Sequence, residues 1–356
     1  MTKKKLKIAL AGFGTGGKFF HAPLISATKE LLLTHILTNS AENRQHAQTF
    51  FPNAIPVSDY GNLLSNPEID IIAIATPNNL HFTMAEQALK FGKHVVLDKP
   101  FTVTTNEGST LIALAQKTGK LLTVFHNRRW DGDYHFIKEK IAEQTLGKLV
   151  SFTSHFDRFR KELKPNWWKE TDQSGSSILY DLGSHLIDQC LQLFGLPKWV
   201  FADLQQQRPG AQTTDFFEIK LLYPSGFTAT LTAGMLVRTQ LLRYRVVGTQ
   251  GTLDVFGTDG QEAAMRQNIF PAQTDAFAKA LKLQESVLYQ DTEAGIAENP
   301  ETLRGGNYTN FYQNVADYLI SNTPLLVTAT EALQTIKIIE LARESHHKKC
   351  VVSVKS

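Results

Sequence analysis

Cysteine is nearly absent from this sequence: two in 356 residues, Cys190 and Cys350, far apart and outside any metal-ligand spacing. That excludes a disulfide framework and fits two reduced thiols in a reducing cytoplasm. An excess of one charge is lacking too. Lys and Arg number 37 against 34 Asp and Glu, a formal net charge of +3. So small a bias argues against nucleic acid or an anionic membrane as the main partner. No stretch approaches the roughly 18 apolar residues of a membrane span. Met1-Thr2-Lys3-Lys4-Lys5 has the charge of a signal-peptide start. However, the apolar run behind it ends in glycines without a cleavage-like segment, so it reads as a solvated tail before a first strand. Internal repeats and low-complexity segments are missing as well. What remains is ordinary: 42% hydrophobic and 20% charged residues, in a length that holds about two domains of roughly 150 residues. Composition therefore points to a soluble, cytoplasmic, two-domain protein and does not choose between enzyme, sensor and scaffold.

The first third alternates short apolar runs with helical patterns. Ile8–Ala11, Leu31–Leu37, Ile69–Ala75, His94–Leu97 and Leu121–Phe125 read as strands. They are continuously apolar, as parallel strands covered on both faces are. Between them, His81–Phe91 reads as a helix stopped at Gly92, and Thr104-Thr105-Asn106-Glu107 has capping-box form. This βαβ series predicts a doubly wound parallel sheet. Near residue 126 the pattern changes. Helices are expected at about Tyr134–Glu143 and Leu182–Phe194, with a long run, Leu149–Phe159, between them. Beyond them, period-two alternation sets Phe227, Ala229, Leu231 and Ala233 on one face and Thr228, Thr230 and Thr232 on the other. Arg243–Val247 and Thr252–Phe256 resemble a hairpin. The second domain reads as an α+β unit with a mostly antiparallel sheet. Residues 259–304 are expected to be a long excursion with some helix, and helices at about Tyr308–Ile320 and Ala329–His346 close the chain.

The first chemical motif is Gly12-Phe13-Gly14-Thr15-Gly16-Gly17. G-x-G-x-x-G is weak alone, but here it follows a strand and opens a helix at the start of a βαβ unit. Gly12 permits the tight turn, Gly14 lets a pyrophosphate approach the backbone, and Gly17 allows close helix–strand packing. The helix N-terminus offers N–H groups to phosphates. A carboxylate about 20 residues on would bind the ribose 2′-hydroxyl of NAD. Thr38-Asn39-Ser40 stands there instead, with Arg44 on the next helix. Neutral groups do not repel a 2′-phosphate and Arg44 can reach one, which favours NADP while leaving NAD open; alternatively Arg44 is an exposed helix residue. Ala75-Thr76-Pro77-Asn78-Asn79-Leu80-His81 ends another strand, where open α/β sheets bind ligands. Thr76, Pro77, Asn78 and His81 are therefore cofactor candidates, or simply a turn capping a helix. Lys99 follows Asp98 at a third strand end, and Pro100 holds it extended.

The last motif is Asp181-Leu182-Gly183-Ser184-His185-Leu186-Ile187-Asp188. Asp181, His185 and Asp188 share one helix face, with Leu186, Ile187, Cys190, Leu191 and Phe194 opposite. Two readings fit: an amphipathic helix with its polar side in water, or a histidine base beside carboxylates.

Together these motifs, with Phe20-His21-Ala22-Pro23, Gly92-Lys93-His94-Val95 and Asp98-Lys99-Pro100, resemble the glucose–fructose oxidoreductase / inositol dehydrogenase (Gfo/Idh/MocA) family over nearly the whole chain. His126-Asn127-Arg128-Arg129-Trp130-Asp131 and the segment from Tyr180 to Asp188 are similar to its NADP-dependent scyllo-inositol dehydrogenase branch. The resemblance implies a Rossmann domain, residues 1–126, and a substrate-binding and oligomerisation α+β domain with a large open sheet, residues 127–356. It implies reversible hydride transfer between NADP(H) and a polyol or sugar carbon in a cytoplasmic homodimer or homotetramer. By position Lys99, Asp181 and His185 match the family's catalytic trio. Where the family usually has Glu-Lys-Pro, this chain has Asp98, one methylene shorter.

On that reading His185 is the general base, Lys99 stabilises charge on the substrate oxygen and Asp181 supports the pair. Asn127 and Arg128 position polyol hydroxyls, Asn127 also reaching the cofactor, and Lys99, Arg128 and Arg129 gather positive charge. Arg158, with Arg160, lines the far wall of the substrate site or is an exposed basic strand end. Trp168 packs on the nicotinamide side or in the core. No metal is expected, because the His and carboxylate spacings do not suit one. Competing readings are a reductase of another sugar or ketose and a non-catalytic NADP-binding regulator.

Overall fold

The computed structural model describes residues 5–164, 167–239 and 241–355. They form two compact units. The first comprises the chain up to Trp130 with Gly260–Leu281 and Asn307–Leu333; the second comprises Asp131–Asp259, Lys282–Gly306 and the chain from Gln334. Compactness thus divides the chain differently from one cut after residue 126, because two later segments join the first unit.

In the first unit β1 (Leu6–Ala11), β2 (Leu31–Leu37), β3 (Ile55–Val57), β4 (Ile71–Ile74), β5 (His94–Asp98) and β6 (Leu122–Phe125) build one sheet in the order β3-β2-β1-β4-β5-β6. Every pairing is parallel. The apolar runs are strands because both faces are covered: all four residues of β4 and of β6 are buried. The intervening helices are α1 (Ala22–Ala27), α2 (Ala41–Phe50), α3 (Tyr60–Ser65), α4 (His81–Lys90) and α5 (Thr105–Thr118). At the start of α5 the capping box is realised. Thr104 Oγ1 accepts the Glu107 N–H at 3.3 Å, and Glu107 Oε2 accepts those of Thr104 and Val103 at 3.1 and 3.0 Å. Gly119, at φ +64°, ends the helix. The strand order reverses between β1 and β4, so the carboxyl ends of these two strands open a crevice at the switch point.

The second unit carries β7 (Leu149–His155), β8 (Trp199–Gln205), β9 (Phe216–Leu222), β10 (Thr228–Gly234), β11 (Leu242–Gly248), β12 (Gly251–Phe256), β13 (Glu285–Thr292), β14 (Gly295–Thr302) and β15 (Val352–Ser353). They make a nine-stranded sheet in the order β14-β13-β12-β11-β7-β10-β9-β8-β15. It is antiparallel except for the parallel pair β7–β10. The alternation read in residues 227–233 is realised, with Ala229, Leu231 and Ala233 fully buried and the threonines between them half-buried. Its helices are α6 (Gly132–Ala142) and α7 (Ser184–Phe194). The helices α8 (Gln261–Arg266), α9 (Thr274–Ala280) and α10 (Thr309–Ser321) belong to the first unit, and α11 (Ala329–Lys348) begins there and continues in the second.

Residues 259–304 therefore hold more than an excursion with some helix. After α8 and α9 they form the hairpin β13–β14, with Thr292 paired to Gly295 across its tip. β14 is exposed almost throughout and contains Pro300, so neither an apolar run nor alternation marks it; pairing with β13 makes it a strand. Among the described residues no helix is long and apolar enough to cross a membrane.

A buried polar cluster fastens α7 to the sheet. Arg243 on β11 is 1% exposed. Its Nη2 donates to Gln189 Oε1 of α7 at 2.8 Å, and Nη1 donates to Ser154 Oγ at 2.8 Å and the His155 carbonyl at 3.0 Å. The Tyr244 hydroxyl donates to the same Gln189 oxygen at 2.8 Å. Arg243 Nε lies 3.7 Å from Asp133, whose carboxyl burial pushes up against the opposing pull of that guanidinium. A buried cation is tolerated there because its donors meet acceptors.

For Thr104→Ala we expect a loss of about 1 kcal/mol, read as a thermal midpoint lowered by about 2 °C. An unchanged midpoint contradicts an energetic role for this cap.

Candidate functional site

In the first unit the glycine loop sits at the carboxyl end of β1. Gly12 has φ +102°, and a Cβ there would stand 2.5 Å from the Ala75 carbonyl oxygen at the end of β4. Only glycine meets both conditions. Gly17 is packed as tightly, since its Cβ would stand 2.2 Å from the Gly12 oxygen. Gly14 differs: nothing lies within 4 Å of its Cβ position, and it is exposed with Thr15. The Lys18 N–H donates to the Gly14 carbonyl at 2.9 Å, so the helical turn starts at Gly14. The N–H groups of that first turn have no intrahelical acceptor. The Phe13 ring turns inward and meets Phe51 edge-on at 6.1 Å, leaving only its main chain for a ligand. On the facing strand end the Thr76 hydroxyl oxygen is buried with no hydrogen-bond partner among the described residues. An open space over Gly14, free helix N–H groups and an unsatisfied hydroxyl fit a dinucleotide.

The other predicted cofactor residues separate into presented and structural groups. Pro77 is half-buried beside Thr76, and Asn78 is buried at the start of the following turn. His81 is wholly buried, its Nδ1 2.9 Å from the Pro100 carbonyl and its Nε2 3.1 Å from that of Thr76. Burial lowers its pKa. Its ring lies between the carbonyls of two crevice turns, and as a neutral imidazole it donates to one of them. At the end of β2, Asn39 and Ser40 are exposed, and Ser40 caps α2 by accepting the Asn43 N–H. Thr38 is buried; Arg44 is exposed, with its Nε 3.4 Å from the Thr38 carbonyl. Asp98 and Lys99 are half-buried at the end of β5. Asn127 is buried in a short 3-10 turn, Asn127–Trp130.

Arg128 and Arg129, read as cations gathered for ligands, are buried and committed within the first unit. Arg128 Nη2 pairs with Glu262 at 2.5 Å and Nη1 meets the Tyr308 hydroxyl at 3.3 Å. Arg129 Nη1 donates to the Leu326 carbonyl at 2.7 Å and pairs with Glu331 at 3.3 Å. Glu262 and Glu331 lie more than 130 residues away in sequence, so no local pattern shows these pairs.

In the second unit Asp181 lies in a π-turn, Leu179–Gly183, immediately before α7. The wider turn changes the four-residue spacing read from the sequence, as π-turns at functional sites do. His185 is 5% and Asp188 2% exposed, so the polar stripe of α7 is not a solvated face. The water-facing alternative is thereby set aside. Lys169 Nζ pairs with Asp181 Oδ1 at 2.6 Å and lies 5.8 and 5.6 Å from the rings of Trp167 and Trp168. Sequence reasoning missed Lys169; its position directly after two tryptophans was the available signal. Trp168 is half-buried in a 3-10 turn, Trp168–Glu170. Arg158 is half-buried, with its guanidinium carbon 5.1 Å from the Phe156 ring centroid. Arg160 lies 5.4 Å from that of Trp167. Lys99 lies in the first unit, Asp181 and His185 in the second.

Residues 6–126 match the oxidoreductase family's NAD-binding Rossmann fold, and residues 138–354 match the C-terminal alpha/beta domain of the same GFO_IDH_MocA family. The chain is similar to the uncharacterized oxidoreductase YdgJ of Escherichia coli, 40% identical over 341 residues, 96% of either chain. It is 35% identical over 346 residues to the scyllo-inositol 2-dehydrogenase (NADP(+)) IolW of Bacillus subtilis, covering 97% of this chain and 94% of IolW. The solved structure of YPO2259 from Yersinia pestis superposes with a TM-score of 0.92 at 39% identity, covering 99% of this chain and 98% of that one.

The two glycines make opposite predictions. Gly14→Ala should leave the thermal midpoint unchanged, because the added methyl meets open space, and should weaken dinucleotide binding at least tenfold, or about 1.4 kcal/mol. Gly17→Ala should cost about 1–3 kcal/mol of stability, because a main-chain carbonyl must move. Melting curves and a fluorescence titration with NADPH check both. A Gly14→Ala protein that binds as wild type contradicts the placement of the phosphates.

Proposed function

The chain belongs to the Gfo/Idh/MocA oxidoreductase family, and on that premise we propose that it transfers hydride between NADP(H) and a secondary carbinol of a cyclic polyol, most simply scyllo-inositol and its ketone. The observation that carries this reading is the glycine crevice at the switch point of the first sheet, with Lys99 on the next strand end. The likeness to IolW supports the substrate class and the cofactor. Residues 1–126 would hold the dinucleotide, and residues 127–356 would bind the substrate and form the contacts of a cytoplasmic homodimer or homotetramer.

When bound, the nicotinamide supplies the hydride acceptor for oxidation and the donor for reduction. A carbinol that gives up hydride becomes a ketone only if its hydroxyl proton also leaves. His185 takes that proton at a ring nitrogen. The Lys99 ammonium stabilises negative charge as it develops on the same oxygen. The Asp181 carboxylate favours the imidazolium that results, and Lys169 fixes the direction of that carboxylate. Asn127 and Arg158 orient the remaining hydroxyls, and Trp168 shields the nicotinamide side. Gly12, Phe13, Gly14, Thr15, Gly17, Thr76 and Asn78 form the dinucleotide cradle. With no carboxylate among Thr38, Asn39 and Ser40, the Arg44 guanidinium receives the 2′-phosphate.

Two substitutions test the parts separately. In Lys99→Ala, kcat for inositol oxidation should fall about 10²-fold or more while NADP+ affinity is kept; an unchanged kcat removes Lys99 from the chemistry. In Arg44→Ala, KM for NADP+ should rise about 10- to 100-fold, the worth of a charge-assisted hydrogen bond, with KM for NAD+ within about twofold of wild type. An equal change for both cofactors contradicts the 2′-phosphate assignment.

A further inference from the structure

Asp98 stands directly before Lys99, and its carboxylate touches three groups. Oδ1 accepts the main-chain N–H of Lys99 at 2.8 Å. Oδ2 lies against the glycine loop, 2.9 Å from where a Cβ on Gly16 would stand. From the remaining side His21 Nε2, a buried nitrogen with no hydrogen-bond partner among the described residues, faces Oδ1 at 3.6 Å. His21 and Tyr312 are both wholly buried, and the Phe125 ring lies 4.3 Å from the imidazole, centroid to centroid. The Tyr312 hydroxyl, on α10, is 2.6 Å from His21 Nδ1. The short Asp98 side chain keeps its carboxylate back at the main chain, where the Lys99 amide and His21 reach it together.

Chemistry sets the hydrogen positions. Burial raises the Tyr312 phenol far above its ordinary pKa, so it keeps its proton. Donating that proton to Nδ1 places the ring N–H on Nε2, facing the carboxylate. The opposite tautomer would set a ring lone pair against a carboxylate oxygen in a buried place, two acceptors with no hydrogen between them.

We propose that His21 and Tyr312 are positioning residues for Lys99, holding the Asp98 carboxylate between the glycine loop and the Lys99 amide and so fixing the turn that aims the Lys99 ammonium. The proposal rests on the reading of Lys99 as the charge-stabilising residue. The groups facing Asp98 are His21 from the turn after the glycine loop, His81 from α4 and Lys99 itself, with the Tyr312 phenol behind His21. Burial pushes the Asp98 carboxyl up, but His21, Lys99 and His81 beside it outweigh burial and hold the carboxyl below its ordinary value. Asp98 is then ionised, and losing its His21 partner would let it protonate at higher pH.

Two variants remove the Nε2–H. His21→Leu offers no donor, whereas the amide of His21→Gln replaces it. We expect kcat in His21→Leu to fall about tenfold, with the acid limb of its pH profile moved to higher pH, and His21→Gln to recover most of both. A folded His21→Leu protein with wild-type kcat and acid limb overturns the proposal, as does an equal loss in both variants. Tyr312→Phe removes only the hydroxyl and guards against a His21→Leu that fails to fold. In substrate-free protein, 15N NMR should show His21 as the Nε2–H tautomer in wild type and as a mixture in Tyr312→Phe; an Nδ1–H tautomer in wild type overturns the proposal. That spectrum needs no turnover, so its failure is distinct from failure of the dehydrogenase reading.

Discussion

At the end of β1 the backbone of Gly12 lies against the Ala75 carbonyl, and that of Gly17 against the carbonyl of Gly12, at separations that leave no room for a β-carbon. This close approach brings the ends of β1 and β4 together at the place where the strand order reverses. It also aims the first helical turn at the space above Gly14, so the helix N–H groups face an opening rather than packed side chains. Gly16, on the same turn, leaves room for the Asp98 carboxylate, which in turn accepts the Lys99 amide. The order of dependence is therefore glycine contact, crevice, carboxylate, lysine.

The second unit reaches its arrangement by polar burial instead. α7 carries His185, Asp188 and Gln189, all nearly inaccessible, so this helix cannot be held by apolar packing alone. Gln189 accepts from both Arg243 and Tyr244, and Arg243 also reaches β7 through Ser154 and His155. The buried Arg243 and Tyr244 donors find acceptors on α7 and β7, which gives the helix one position on the sheet. The π-turn before it places Asp181 beside Lys169.

Much of this was legible in the sequence because one physical cause dominated locally. Continuous apolar runs became parallel strands, the glycine pattern became the loop at β1, and Thr104 with Glu107 became the cap of α5. What was not legible depended on partners distant in the chain. Arg128 looked available for a ligand, yet its Nη2 pairs with Glu262 and its Nη1 meets the Tyr308 hydroxyl. His81 sits within a binding motif, and its ring lies between the Thr76 and Pro100 carbonyls, which the motif does not show. β14 has the composition of a loop and is a strand only through β13. Lys169 gained meaning only when folding brought it to Asp181. Local pattern thus identified the elements and the glycine loop of the crevice, whereas charge pairing between residues distant in the chain was not legible from it.

Isotope transfer would reveal whether hydride passes from a polyol carbinol to NADP+. The protein would be incubated with NADP+ and scyllo-inositol deuterated at its carbinol carbons, and the reduced cofactor and the product would be examined by mass spectrometry and NMR. Hydride transfer would leave one deuterium on the nicotinamide ring of NADPH for each ketone formed. Reduced cofactor without the label, or a polyol left unoxidised beside tightly bound NADP+, would contradict it.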